Sequence, residues 1–133
     1  MARWVLLRHE LPDGSWHHDW MFEHPSSVDA AAAASGGLIT FKLDSSVHWP
    51  PGAKFEAERL ADQRREYLEY EGPISGGRGA VRRVAAGECR VQADVERVRV
   101  WLEGRVFVGR AAGGAAARRW RFRVMPEGDL EES

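Results

Sequence analysis

The stretch RWVLLRHELPDGSWHHDWMFE, residues 3–23, predicts a β-hairpin. Its two arms are rich in apolar and aromatic residues, and the segment LPDGS between them has the composition of a tight turn. Pro12 and Asp13 suit the centre of a type I turn, and Gly14 suits the left-handed position that follows in a three-residue hairpin loop. This turn sets which residues of the two arms face each other.

Pairing outward from the turn brings two histidines and a carboxylate together. His9 is expected directly opposite His17, at a Cβ separation of about 4.5–5.5 Å. Asp19 shares their face because side chains alternate along a strand. Two histidines and one carboxylate form a ligand set that leaves open positions on Mn, Fe or Zn. The remaining histidines are not predicted ligands, because they point to the other face or lie in loops: His18, His24 and His48.

A metal site is not the only interpretation of this hairpin, because histidines near a turn are often exposed and bind nothing. The other face of the hairpin is predicted to be core. It carries five apolar residues and is interrupted by Arg8 and His18: Trp4, Leu6, Trp16, Trp20 and Phe22. The metal interpretation therefore depends on three ligands meeting on one face rather than on any single histidine.

The rest of the chain predicts a mainly β fold, a small β-barrel with one or two short flanking helices. Short alternating runs separated by Gly, Pro or Asp are strand candidates. These candidates are Arg3–His9, Trp16–Glu23, Leu38–Leu43, Tyr67–Glu71, Ala80–Val84, Cys89–Ala93, Val95–Leu102, Arg105–Arg110 and Trp120–Val124.

Two segments favour helices. A capping serine, an alanine run and a glycine stop predict a short helix over about Ser27–Ser35, although a flexible insertion fits equally well. The segment AKFEAERLADQRREY, residues 53–67, predicts a second helix. We expect a single domain over residues 1–124, followed by an acidic, frayed tail at 125–133.

Composition limits the protein classes that remain. The chain has 133 residues and is 44% hydrophobic, which suits one domain with a substantial core. Its single cysteine, Cys89, cannot form an internal disulfide, and this favours a reducing compartment. The N-terminal apolar run is too short for a signal peptide or a membrane span, so we expect a cytoplasmic protein without a membrane partner.

Charge is distributed unevenly along the chain. The formal net charge is −1, yet residues 78–123 contain 12 arginines and 4 acidic residues, a net of +8. Guanidinium groups suit phosphate oxygens, so this stretch predicts a phosphate-binding or nucleic-acid-binding surface. A solvated sheet face, rich in arginine for reasons unrelated to binding, is the alternative.

Two motifs resemble a known family. RHELPDGSWHHDWMFE at residues 8–23, followed by EYLEYEGPISGGRGAV at residues 66–81, resembles the 3′-phosphoesterase domain of bacterial DNA ligase D, an end-joining repair enzyme. That family has an R/K-H segment, then H-x-D-F-R-x-E, then a tyrosine shortly before F-E-G-x-I-P and a glycine-rich turn. The resemblance covers about Arg3–Val84.

The resemblance implies a site and a cofactor. It makes His9, His17 and Asp19 the ligands of a divalent metal, with Mn favoured and Zn as the alternative. It places Tyr67 at the substrate phosphate, as a catalytic residue. The implied substrates and partners are phosphorylated 3′ ends of nucleic acids, with a role in DNA repair.

Two departures from the family pattern bear on activity. The arginine two residues after the aspartate is replaced by Met21, and the histidine four residues before the tyrosine is replaced by Gln63. Arg65 and Arg78 are the nearest basic residues in sequence that would bind the phosphate instead. Two functions therefore remain open: a metal-dependent phosphoesterase, or a non-catalytic, metal-stabilised module that binds nucleic acid or phosphate.

Overall fold

The computed structural model describes residues 1–25, 37–44, 49–113 and 117–128. Within these residues the chain is mainly β, which confirms the predicted fold class. The strands are β1 (Ala2–Glu10), β2 (Trp16–Glu23), β3 (Leu38–Leu43), β4 (Lys54–Gln63), β5 (Gly72–Pro73), β6 (Ala80–Ala93), β7 (Arg97–Leu102), β8 (Arg105–Ala111) and β9 (Arg119–Pro126). A short 3₁₀ helix, Arg65–Leu68, lies between β4 and β5.

Eight of the strands form one closed antiparallel ring. Their order is β1-β2-β3-β4-β9-β8-β7-β6, and β6 pairs back onto β1. β5 lies outside the ring and pairs with β6. This closure agrees with the barrel-like arrangement that the sequence predicts, and it gives each of the eight strands two partners, as in folds that avoid exposed sheet edges.

Large aromatic side chains fill the interior of the ring. The Trp20 ring centroid lies 4.9 Å from that of Phe22, 5.3 Å from that of Phe107 and 5.6 Å from that of Phe122. Gly109 of β8 makes room for this packing, because a Cβ there would lie 2.4 Å from the Phe122 ring. Four of the five predicted core residues of the hairpin are buried in this cluster: Trp4, Leu6, Trp20 and Phe22. The fifth, Trp16, is half-buried.

A second apolar cluster lies on the outer face of the β1–β2 hairpin. Its members come from the ring and from the 3₁₀ helix: Val5, Leu7, Met21, Leu38, Leu68 and Val81. Tyr67 and Ile74 pack against it from the segment between β4 and β6. Both faces of the hairpin are therefore buried over part of its length, and the predicted ligands lie at the end of the outer face nearest the turn.

The segment at residues 53–67 does not form the predicted helix. It forms β4 instead, in which Phe55 and Ala57 pack with the interior cluster. The next position with the same orientation is Arg59, whose guanidinium lies 5.4 Å from the centroid of a core phenylalanine ring. Because an arginine stands where an apolar residue would have marked the strand, the period of two is hidden in the sequence.

Two strand boundaries also differ from expectation. The predicted strand Tyr67–Glu71 is wrong, because Tyr67 and Leu68 belong to the 3₁₀ helix and residues 69–71 form a turn and irregular chain before β5. The predicted strands Ala80–Val84 and Cys89–Ala93 are one long strand, β6. That strand continues through Gly87, where a Cβ would lie 3.0 Å from the indole nitrogen of Trp4, so the glycine reflects close packing rather than a turn.

Some predictions fall outside the described residues. These are the helix over Ser27–Ser35, the loop around His48 and the tail beyond Gly128. At the C-terminus β9 continues to Pro126, two residues past the predicted end of the domain. Among the described residues, no helix has the length and apolar character needed to cross a membrane.

Candidate metal centre

The turn between β1 and β2 has the predicted geometry. Leu11 N–H donates to the Ser15 carbonyl at 2.8 Å, and Gly14 N–H donates to the Leu11 carbonyl at 3.0 Å. Gly14 has a φ of +89°, the left-handed conformation that the loop requires. Asp13 braces the turn by accepting a hydrogen bond from the Ser15 amide at 2.9 Å. The register that follows pairs His9 with His17, as predicted.

His9, His17 and Asp19 meet on the outer face of the hairpin. His9 Nδ1 lies 3.3 Å from one Asp19 oxygen, Oδ2, and His17 Nε2 lies 3.0 Å from the other, Oδ1. The two imidazole centroids are 4.8 Å apart. One potential ligand atom from each of the three residues lies within 4.8 Å of the others. The predicted convergence of the three side chains is therefore confirmed.

The other nitrogen of the His9 ring is held by the main chain. Nε2 donates to the carbonyl oxygen of Arg78 at 2.8 Å. Arg78 reaches this position because Gly79, with a φ of +91°, packs so tightly against the backbone of Glu10 that a Cβ would lie 1.9 Å from its carbonyl oxygen. A histidine that binds a metal typically donates its second N–H to a carbonyl or carboxylate in this way. The contact orients Nδ1 of His9 toward Asp19.

The cluster is partly withdrawn from water, and this alters its ionisation. Burial alone would raise the pKa of Asp19, but its contacts with His17 and His9 outweigh burial and hold that pKa below the ordinary value of 3.8. Pairing with Asp19 raises the pKa of His9 above 6.5, against the opposing effect of burial. Asp19 is therefore an ionised carboxylate at neutral pH, as a metal ligand must be.

One oxygen of Asp19 lacks a hydrogen-bond donor among the described residues. Oδ1 is buried, and His17 Nε2 approaches it without the alignment of a hydrogen bond. Buried polar atoms in proteins are almost always satisfied, so such an atom marks a place for a further partner. A cation between the imidazole nitrogens and this carboxylate would satisfy it. The three residues thus fit a divalent metal ion and could hold one.

Lys42 is a candidate site residue that the sequence did not reveal. It lies on β3 directly opposite Asp19, on the same face of the sheet, and is half-buried. Side chains in directly opposed positions are about 4.5–5.5 Å apart at Cβ. The signal in the sequence is a single lysine inside the apolar strand LITFKL, but its meaning depends on the pairing of β3 with β2, which no local pattern predicts.

Arg78 lies next to His9 in the structure, whereas Arg65 lies away from the His9, His17 and Asp19 cluster. The carbonyl of Arg78 contacts His9, while its Nε donates to the Ser75 carbonyl at 2.8 Å within the same turn. Arg65 forms an ion pair with Glu23. Glu23 is four residues beyond Asp19 on β2, which corresponds to about 13 Å along a strand. Arg78 is therefore the better placed of the two predicted phosphate ligands.

Tyr67 lies in the 3₁₀ helix and packs on the second apolar cluster. Two members of that cluster are neighbours of the metal candidates in the sheet, since Leu7 pairs with Asp19 and Val81 pairs with His9. Tyr67 is half-buried, and its ring is 6.1 Å from that of Tyr70 in an edge-to-face arrangement. The cluster connects Tyr67 to the metal centre, but its predicted catalytic role stays a prediction.

Met21 and Gln63, the two departures from the resembled pattern, lie in an apolar cluster and in a local hydrogen bond, respectively. Met21 is 3% exposed and belongs to the second apolar cluster. The side-chain amide of Gln63 donates to the Ala61 carbonyl at 2.9 Å. Neither position therefore offers a cation to the cluster of His9, His17 and Asp19.

The other described histidines lie outside the cluster, as expected. His18 points to the opposite face and its Nδ1 is 3.3 Å from the Asp44 carbonyl. His24 pairs with Asp62.

No family model matches the chain, and no curated protein sequence matches it significantly. The likeness to the 3′-phosphoesterase domain of DNA ligase D therefore rests on the sequence motifs alone.

Proposed function

We propose that this protein is a metal-dependent phosphoesterase-like domain that acts on or recognises phosphorylated 3′ ends of nucleic acids. The observation that carries the proposal is the meeting of His9, His17 and Asp19 on one face of the hairpin, with Lys42 paired opposite Asp19 in the sheet. Mn is the proposed metal, with Zn as the alternative, because two imidazoles and one carboxylate suit both. The proposed compartment is the cytoplasm, and the proposed biological setting is the repair of nucleic-acid ends.

The residues of the proposed site would have three roles: metal binding, phosphate binding and substrate contact. His9, His17 and Asp19 would hold the metal, which when bound supplies the charge that polarises a phosphoryl group. Lys42 and Arg78 would bind the phosphate oxygens, since ammonium and guanidinium groups make charge-assisted hydrogen bonds to phosphate. Tyr67 would contact the substrate from the 3₁₀ helix. These assignments place a 3′-phosphate between the β2–β3 pair and the turn at Arg78.

A non-catalytic binding module is the second candidate, and a specific observation favours it. Met21 is buried in an apolar cluster, Gln63 is bonded to its own strand, and Arg65 is paired with Glu23. These are positions at or near which the resemblance expects phosphate-binding groups. A centre that binds metal and phosphate with fewer transition-state contacts would recognise ends without rapid turnover.

A 3′-phosphorylated primer-template tests the proposal. We expect phosphate release that requires added Mn and that is lost in His17→Ala. His24→Ala is the matched control, because it removes a half-buried histidine that lies outside the centre. Release that is equal in His17→Ala and the parent would contradict the proposed site.

Binding measured in parallel separates the two candidates. The non-catalytic module predicts no release, together with Mn-dependent preference for a 3′-phosphate end over a 3′-hydroxyl end. A parent protein that neither releases phosphate nor distinguishes these ends, with Mn bound, would overturn both candidates.

A further inference from the structure

A second charged surface lies on the outer face of β4, β9, β8 and β7. Seven basic side chains lie on this face: Arg119, which is opposite Glu58, and six others that form two adjacent rows, of which five are exposed and Arg99 is half-buried. We call this surface the basic face and define it by the six residues of the two rows: Lys54, Arg97, Arg99, Arg110, Arg121 and Arg123. Five of them come from the arginine-rich stretch at residues 78–123, so the fold collects part of that stretch onto one surface.

The pairing of the strands arranges the basic face in two adjacent rows. One row runs across the four strands through Arg99, Val108, Arg123 and Lys54. The next row runs through Arg97, Arg110, Arg121 and Glu56. These side chains point outward because the residues between them in sequence, such as Val98 and Phe122, are buried in the interior cluster.

The basic face has very little internal neutralisation. Among the described residues its six cations form one ion pair, between Arg121 and Glu56 at 3.9 Å, and both of those side chains are largely exposed. Of the four acidic residues in the arginine-rich stretch, Glu88, Asp94, Glu96 and Glu103, only Glu103 forms an ion pair with an arginine among the described residues, Arg105. Apart from Arg121, the arginines of the basic face therefore form no ion pair with a carboxylate among the described residues.

The row of Arg97, Arg110 and Arg121 is electrostatically unfavourable for the isolated protein. Each arginine lies directly opposite the next on the neighbouring strand. Like charges directly opposite each other destabilise a sheet. Glu56 compensates only the Arg121 end of the row, and sequence choices that work against stability are typical of functional surfaces. An anion bound across the row would remove the repulsion.

The shape of the basic face suits an extended ligand. Lys54, Arg110, Arg121 and Arg123 line an open groove of about 770 Å³. The four strands span three interstrand spacings, or about 14 Å, and the two rows lie about 7 Å apart. One strand of a DNA duplex places about four phosphates along 14 Å of its axis, at about 3.4 Å each. The array of cations therefore matches a phosphate backbone in both charge and extent.

The middle of the basic face lies on the opposite side of the ring from the His9, His17 and Asp19 cluster. The hairpin β1–β2 carries the centre, and the pair β8–β9 carries the middle of the basic face. In the strand order of the ring, β3 and β4 separate these pairs on one side, and β6 and β7 separate them on the other. A short nucleic-acid end bound at the metal centre would not cover the basic face.

We propose that the basic face is a second, independent site that binds the phosphate backbone of double-stranded nucleic acid without sequence preference. An acidic protein is a poorer fit, because protein interfaces are anchored by aromatic and other apolar side chains at their centre. The central non-charged residue of the two rows is Val108, which is half-buried. Recognition here therefore depends on charge, as in contacts to nucleic-acid backbones.

Closed circular duplex DNA is the probe that isolates this site, because it has no ends for the metal centre to recognise. We expect binding whose affinity falls with salt, with a log–log slope of about −4 for the roughly four phosphates that the face spans, at roughly 0.9 per phosphate contact. Arg110→Gln combined with Arg123→Gln should weaken the slope by about 2 units. The matched control is Arg64→Gln combined with Arg82→Gln, which removes two exposed arginines from other surfaces and should leave the slope nearly unchanged.

The same measurements identify the outcomes that oppose the proposal. A salt-independent affinity, or an equal loss of binding in both double variants, would overturn it. Polyglutamate or anionic phospholipid vesicles that displace DNA at equal total charge would indicate an acidic protein or a lipid surface as the true partner. His17→Ala should keep full binding of circular DNA. Its loss in that variant would show that the two sites are not independent, whereas failure of the phosphoesterase assay alone would leave the basic face unaffected.

Discussion

His9 and His17 are directly paired residues on β1 and β2, and their imidazole centroids lie 4.8 Å apart. The hairpin turn creates this relationship, since the hydrogen bonds of Leu11, Gly14 and Ser15 fix the register of every pair beyond them. A shift of one residue in this register would place the two imidazoles on opposite faces of the hairpin. The meeting of the three side chains thus depends on the local chemistry of the turn.

Removing a ligand should abolish tight metal binding without unfolding the protein. We expect His17→Ala and Asp19→Asn each to weaken Mn affinity by more than about 10-fold, because losing even an indirect partner of a metal ligand typically costs 10–100-fold. Isothermal titration of the metal-free protein measures this. His24→Ala should match the parent, and unchanged Mn affinity in His17→Ala would contradict the assigned ligand set.

Metal-free stability should pass through a maximum in mildly acidic solution. The folded-state pKa of Asp19 is lowered, so its contribution is present above about pH 3.8 and is lost as pH falls through the folded value. The folded-state pKa of His9 is raised, so its contribution is present below about pH 6.5 and is lost as pH rises through the folded value. Thermal unfolding with a chelator should therefore show falling stability from pH 6 to pH 8.

Adding Mn should reverse this trend over the same range. Metal and proton compete for His9 Nδ1, so metal affinity increases as the imidazole loses its proton. The stabilisation that Mn provides over the metal-free protein should therefore grow between pH 6 and pH 8. An Mn effect that is independent of pH would contradict the assignment of His9 as a ligand.

Local sequence patterns predicted the hairpin, its register and the three converging side chains because all of these depend on one turn. They did not predict β4, where Arg59 covers an aromatic ring and hides the alternation. Contacts between segments that are distant in sequence could not be predicted from local patterns either. Leu68 and Ile74 cover the outer face of the hairpin, and Lys42 faces Asp19, only because distant segments pair or pack in three dimensions.

Gly109 should be intolerant of a side chain. A Cβ at this position would lie 2.4 Å from the Phe122 ring inside the ring of strands. Gly109→Ala should therefore reduce the free energy of unfolding by about 1–3 kcal/mol, the usual effect of overpacking a core. Urea denaturation measures the change. Gly37→Ala should cost less, because a Cβ there would lie 3.3 Å from the side chain of Asp62, a smaller overlap than at Gly109, and equal stability of the two variants would contradict the packing argument.

Restoring the arginine that the family has at position 21 should damage this protein. Met21 is enclosed by Val5, Leu7, Leu38 and other apolar residues. Met21→Arg would bury an unpaired charge there, at a cost of about 3–5 kcal/mol in the free energy of unfolding. Met21→Leu should cost less than about 1.5 kcal/mol because it keeps volume and polarity. A fully stable Met21→Arg with increased phosphate release would instead mean that the arginine reaches the metal centre.

Lys42 should supply the phosphate contact that Met21 does not. Lys42 and Lys54 are the two lysines of the chain, and they lie on different surfaces: Lys42 is opposite Asp19, and Lys54 is on the basic face. Lys42→Met should reduce 3′-phosphate release by about 10²–10³-fold, the typical effect of removing one well-placed charged or polar donor. If the protein only binds ends, the same variant should abolish its preference for a 3′-phosphate over a 3′-hydroxyl. Mn affinity should not fall, because Lys42 is not a ligand.

Lys54→Met should do the reverse, weakening circular DNA binding and sparing 3′-phosphate recognition. Because the two variants make the same chemical change, a common loss of stability cannot explain opposite effects, and identical behaviour of the two would remove Lys42 from the site.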